Sequence, residues 1–110
     1  MDFMTAVKTC FAKYADFSGR AKRPEFWWFV LLEVIVLIVA QIIHPYVYLI
    51  AALGFLVPVL AAGSRRLHDI GKSGWFQLLG LIPIVNFYLL YLLVQPGQPE
   101  SNAFGAPPAA

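Results

Sequence analysis

Arg65-Arg66-Leu67-His68-Asp69 is the densest run of chemically capable side chains in this 110-residue sequence. On a helix, Asp69 follows Arg65 by four positions and Arg66 by three, so it can pair with either guanidinium while His68 lies beside Arg65. A pair of arginines can hold a phosphate bidentately. With Lys72 and the start of a following helix, the run is a candidate site for an anionic lipid headgroup or for a partner's acidic group. The competing role is topogenic, with the arginines keeping a loop in the cytoplasm and snorkelling to the membrane surface. That role accounts for the arginines and leaves His68 and Asp69 unexplained.

A second basic cluster, Gly19-Arg20-Ala21-Lys22-Arg23, is followed by Glu25. Arg20 or Arg23 can pair with Asp69, and Glu25 with Arg65 or Arg66, which would tie two loops into a clasp. His68, Asp69 and Ser73 have the residue types of a hydrolytic triad. Side chains so close together in one loop seldom bring a base to a nucleophile beside an oxyanion hole, so no catalytic residue is assigned and the chain reads as non-enzymatic. His44 and His68 are predicted on opposite membrane faces, and the single cysteine, Cys10, has no CxxC partner. No metal or cofactor is therefore expected.

Glu33 is the one ionisable residue well inside an apolar stretch. It lies seven residues past Phe26, about 10 Å deep at helical rise. A carboxylate facing lipid there is unfavourable by roughly 2.5–3.5 kcal/mol, so Glu33 is expected to face inward. It reads either as a titrating or ion-contacting group, or as a protonated carboxyl bonded to Asn86 or to the Gly54 carbonyl that Pro58 frees.

The elements that must position these residues are legible in composition. Hydrophobic residues make up 60% of the chain and charged residues 13%, against about 25% charged in soluble domains. Three apolar stretches, residues 26–43, 46–63 and 75–94, approach the roughly 20 residues that a helical crossing needs. Their continuity excludes a barrel. The expected fold is an all-α membrane protein with three transmembrane helices in a single membrane domain over residues 1–95. A short amphipathic helix over about residues 2–15, with the stripe Phe3, Val7, Phe11 and Tyr14, precedes them. Its periodicity suits either the membrane interface or the protein's own cytoplasmic loop.

Arg23-Pro24-Glu25 marks the first helix start, and His44-Pro45 a tight turn. Pro58 and Pro83 predict kinks. All eight Lys and Arg residues fall in two clusters, 8–23 and 65–72, and the positive-inside rule puts both in the cytoplasm. An odd number of crossings then puts the N-terminus inside and the C-terminus in the periplasm or outside. Residues 96–110, rich in Pro and Gly, are expected to form a flexible tail. Nothing in the charge pattern suggests a nucleic-acid partner.

Phe17-Ser18-Gly19-Arg20-Ala21, Arg23, Glu25-Phe26-Trp27, Arg65-Arg66-Leu67-His68-Asp69, Gly71, Ser73-Gly74-Trp75, Pro83, Asn102 and Phe104-Gly105 together resemble the bacterial domain-of-unknown-function 805 family. The resemblance covers nearly the whole chain and implies a bacterial inner-membrane protein; it supplies no activity. Glu33 departs from the neutral polar residue more usual in the family, and Pro107 from an acidic one. The sequence thus points to a multi-pass membrane component with lipid, homo-oligomer or membrane-protein partners. Its lipid or partner site would comprise Arg20, Arg23, Arg65, Arg66, His68, Asp69 and Lys72. The alternative is a subunit of an oligomeric transporter or channel using Glu33 with Asn86.

Overall fold

The computed structural model describes residues 1–108. Helices α1 (Phe3–Ala12), α2 (Arg23–Ile43) and α3 (Pro45–Asp69) are followed by a 3₁₀ helix (Gly74–Leu81) and by α4 (Val85–Val94). Among the described residues there is no strand, only an isolated bridge between Asn102 and Gly105.

The Asp2 carboxylate starts α1 by accepting from the Thr5 amide at 2.8 Å, satisfying an amide that has no partner inside the helix. The helix lies along α2. Ala6 and Cys10 are buried, the Phe3 ring meets Trp28 edge-on at 5.8 Å, and Phe11 meets Phe29 at 5.2 Å. The inward face therefore includes Ala6 and Cys10 between the expected stripe residues, because small side chains let the two helices approach.

Helices α2 and α3 form an antiparallel hairpin. Pro45 takes the first helical position and the His44 ring accepts from the Tyr46 amide at 3.1 Å. Both helices are long and apolar enough to cross a membrane. The 21 residues of α2 span about 31 Å at helical rise, against a hydrocarbon core of about 30 Å. The second helix does not stop at residue 63 as expected. It runs through Asp69, so the arginine pair lies on a helix and not in a loop.

The third apolar stretch departs furthest from expectation. A single kinked helix over residues 75–94 is replaced by the 3₁₀ helix, a break at residues 82–84 and the ten-residue α4. Pro83 has no N–H to give the Leu79 carbonyl, which accepts from the Ile82 amide at 3.2 Å in 3₁₀ fashion. Ile84 then takes a positive φ of 72°, a costly conformation for a β-branched residue. The chain turns back at this point. Gly74, at the start of the excursion, packs so closely on α3 that a Cβ there would lie 2.5 Å from Ser64 Oγ. Leu93, at its end, gives its carbonyl to Arg66 on the same end of α3.

The outward run of eight residues and the return of ten are each about 15–16 Å long, half of a crossing. Two of the three expected apolar helices are thus of membrane length, and the third stretch is a half-length hairpin. The loop after α1 and the segment after α4 consequently meet at one end of the α2–α3 pair.

Pro58 leaves the Gly54 carbonyl without its helical donor, and the Tyr14 hydroxyl donates to that oxygen at 2.6 Å. Tyr14→Phe is expected to destabilise the protein by about 0.5–1.5 kcal/mol. In a Pro58→Ala background the restored amide takes over and the loss should shrink. Thermal melts of the four proteins in detergent measure this coupling, and equal losses in both backgrounds would contradict it.

Candidate functional site

Residues 61–69 of α3 are all buried, charged side chains included. The end of α1, the loop over residues 13–22, the start of α2, the end of α4 and the tail surround them. Arg65 and Arg66 are wholly buried, and Asp69 and Glu25 nearly so. Three ion pairs hold the assembly: Arg20 Nε to Asp69 Oδ1 at 2.9 Å, Arg66 Nη1 to Asp69 Oδ2 at 3.0 Å, and Arg65 Nη2 to Glu25 Oε2 at 3.2 Å. Asp69 bridges two guanidiniums. Three buried cations thus face two carboxylates, and main-chain carbonyls supply most of the remaining acceptors, Arg65 Nε having none among the described residues.

Each arginine also collects main-chain carbonyls from segments packed against the end of α3. Arg65 donates to Lys13 O at 3.2 Å and Asp16 O at 2.7 Å, holding the chain where α1 ends. Arg66 donates to Ala21 O at 3.1 Å, to Leu93 O at 3.0 Å and to Gln95 O. The Trp27 indole also donates to Leu93 O at 3.1 Å, and Arg23 to Val94 O at 3.4 Å. The last carbonyls of α4, which have no partner within their helix, are thus taken by side chains whose positive charge also suits the helix C-terminus. Arg20 donates to Gln98 O at 2.6 Å, Glu100 O at 2.9 Å and Gly105 O at 3.1 Å.

Residues 96–108 of the segment expected as a flexible tail are therefore laid across this cluster; residues 109 and 110 lie outside the described residues. Gly97 passes so near Asp69 that a Cβ would run into the carboxylate. Asn102 donates to the His68 carbonyl at 3.0 Å, and the Phe104 ring stacks on the His68 ring, centroids 3.9 Å apart and planes within 1°. His68 Nδ1 donates to Gly19 O at 2.9 Å. Since a carbonyl only accepts, Nδ1 carries the hydrogen, and in the neutral ring Nε2 is the acceptor.

The sequence-derived candidates now separate. Arg20, Arg65, Arg66 and Asp69 come together with Glu25 as an interior clasp, in three of the pairings expected of them. All four side chains are buried and bonded within the protein, with only Arg65 Nε among their buried nitrogens and oxygens lacking a partner among the described residues. Arg23 and Lys72 are exposed, and the Lys72 ammonium lies 6.0 Å over the Phe76 ring. Glu33 is half-buried, and its carboxyl makes no hydrogen bond among the described residues. The partners proposed for it are otherwise disposed: Gly54 O serves Tyr14, and Asn86 Oδ1 is buried without a partner.

Asp69 does not orient His68, and Ser73 Oγ accepts from the Trp75 amide at 3.2 Å, so the triad geometry does not form. Among the described residues, no three His, Cys, Asp or Glu side chains converge to hold a metal ion. Sequence reasoning missed Trp27, Gly97 and Gln98 as parts of the clasp; the Gly97-Gln98 pair was hidden among residues that read as loop punctuation.

This is a small all-helical protein in which two helices of membrane length are pinned at one end by a buried arginine clasp. The profile of the family described as "Protein of unknown function (DUF805)" matches residues 14–106, and the chain belongs to that family. It is 37% identical over 103 residues to the inner membrane protein YhaI of Escherichia coli K12, covering 86% of this chain and 87% of the relative. To inner membrane protein YhaH of the same strain it is 35% identical over 107 residues, covering 86% and 88%. No solved structure matches it.

Removing one partner of a buried ion pair strands the other charge and costs about 3–5 kcal/mol. Arg66→Ala and Asp69→Ala should each lower the melting temperature markedly, with Arg66→Lys intermediate because an ammonium cannot reach the same acceptors. Unchanged melting of both alanine variants would exclude the clasp. Cys10 gives a second test. Burial, reinforced by the Glu25 charge, pushes its thiol up to about 12. Relative to a free thiol near 8.5, the reactive thiolate falls by about a thousand-fold or more. Alkylating reagents at neutral pH should leave Cys10 untouched in the folded protein and modify it after denaturation.

Proposed function

We propose that this chain is a bacterial inner-membrane protein that crosses the bilayer twice, through α2 and α3, and acts by binding rather than by catalysis. The half-length hairpin enters and leaves from the cytoplasmic face, and both termini are cytoplasmic. One observation carries the reading: every Lys and Arg, the α1 segment and the tail gather at one end of the two long helices, while the His44-Pro45 turn at the other end has no Lys or Arg. The positive-inside rule puts the basic end in the cytoplasm. The names of the YhaI and YhaH proteins support the location.

The clasp's own arginines are unavailable to a headgroup, so contact with anionic lipid falls to the exposed Lys8, Arg23 and Lys72 around it. Each contributes about 1 kcal/mol near an anionic surface. A reporter enzyme active only in the cytoplasm should be active when fused after residue 110. One active only in the periplasm should be active when inserted between His44 and Pro45. A periplasmic readout after residue 110 would overturn the topology.

A second reading, an oligomeric transporter or channel subunit, rests on the unpartnered polar groups of the apolar region, the Glu33 carboxyl and Asn86 Oδ1. Such groups in a membrane mark ion or proton pathways. Proton flux into proteoliposomes that Glu33→Gln abolishes would favour it; absence of flux removes it.

A further inference from the structure

We propose that a cavity beside His68 is a binding site for one phospholipid whose headgroup carries a hydrogen-bond-donating ammonium. The inference rests on the membrane orientation proposed above. The cavity, ≈ 410 Å³, lies between α3 and the 3₁₀ helix, within the range of roughly 300–1,000 Å³ usual for small-ligand sites.

Its polarity changes along its length. Ser64, His68 and Ser73, with the Phe17 ring beside them, line the end nearest the clasp, and Leu60 and Leu78 line the end that runs toward the middle of the apolar helices. Leu60 is two helical turns below His68, about 12 Å at helical rise. In the orientation proposed, the polar end lies at the headgroup level and the apolar end among the acyl chains. That gradient matches a lipid lying along the 3₁₀ helix and suits no wholly polar ligand. Trp75, 79% exposed at the rim, has the amphipathic ring that favours this level.

The headgroup class follows from the donor and acceptor inventory. His68 Nδ1 is committed to Gly19 O, and the ring is held flat against Phe104. In the neutral ring Nε2 is therefore the acceptor, with no hydrogen bond to it among the described residues, and His68 is one of the residues that line the cavity. Gln77 braces the wall, its amide nitrogen donating to Leu60 O at 3.0 Å and Ser64 Oγ at 2.9 Å. The exposed Lys72, which directly precedes the lining residue Ser73, would supply the cation for the lipid phosphate. One acceptor for an ammonium and one cation for a phosphate describe a zwitterionic headgroup with N–H donors.

Phosphatidylethanolamine and phosphatidylcholine of identical acyl chains share their net charge and differ at this headgroup in having or lacking ammonium N–H. Full-length protein in mixed nanodiscs or detergent, examined by native mass spectrometry, should retain phosphatidylethanolamine over phosphatidylcholine by about five-fold, the ratio that one net hydrogen bond supports. His68→Phe keeps the aromatic stack and should bring the ratio to about one. Equal retention by the unaltered protein, or a preference that survives His68→Phe, overturns the site.

If His68→Phe does not fold, Leu78→Trp fills the apolar end with His68 intact and should reduce retention of both lipids; unchanged retention overturns the site. Anionic phosphatidylglycerol forms the third arm. Its retention through the exposed basic rim should not depend on His68. Loss of the phosphatidylethanolamine preference alone counts against the cavity, whereas a failed reporter assay counts against the orientation.

Discussion

A guanidinium taken out of water needs acceptors for five N–H groups, and a helix that ends away from water needs donors for its last carbonyls. In this protein most of each requirement is met by the other, Arg65 Nε being the guanidinium nitrogen left buried without a partner among the described residues. Arg65 and Arg66 turn inward from the end of α3 and find carbonyls just after α1 and at the end of α4, while Arg20 reaches the tail. Two carboxylates neutralise only part of the buried charge. The rest is spread over carbonyl dipoles, which is why the site tolerates more cations than anions. Desolvating a charge costs several kcal/mol, so each arginine is stable inside only while the segments bearing its acceptors stay in place. Charge placement and chain path are therefore one constraint.

That constraint also accounts for the third apolar segment. A straight helix over residues 75–94 would carry its C-terminal end about 30 Å from where it began, far from Arg66. The break at Pro83 and Ile84 instead returns Leu93 and Gln95 to the arginine. The left-handed Ile84 is a local cost set against several charge-assisted hydrogen bonds, individually stronger than neutral ones.

How much of this could be read in advance follows from what leaves a trace in residue types. The pairing of Arg20 with Asp69 and of Glu25 with Arg65 was legible, because opposite charges predicted at one membrane level have few other partners. The α2–α3 hairpin was legible from His44-Pro45. The carbonyl acceptors were not, since every residue carries one. Residues 75–94 were misread because length and apolarity are the same for one long helix and for two short ones packed together, and Pro83 signals a kink and a reversal equally. Gly97 misled for a similar reason. Glycine marks loose chain, but it also marks a place where no side chain fits, and beside Asp69 the second meaning holds.

The order of synthesis gives the clasp a temporal side. Arg20, Arg65 and Arg66 are all made before residues 93–105, which hold many of their acceptors. A nascent chain can insert the α2–α3 hairpin while these guanidiniums are still hydrated at the membrane surface, but it cannot bury them. Closure waits until the later residues leave the ribosome. Until then the protein is threaded but unlocked, with its charged end open to chaperones and proteases, and chains cut short before residue 93 would remain in that state.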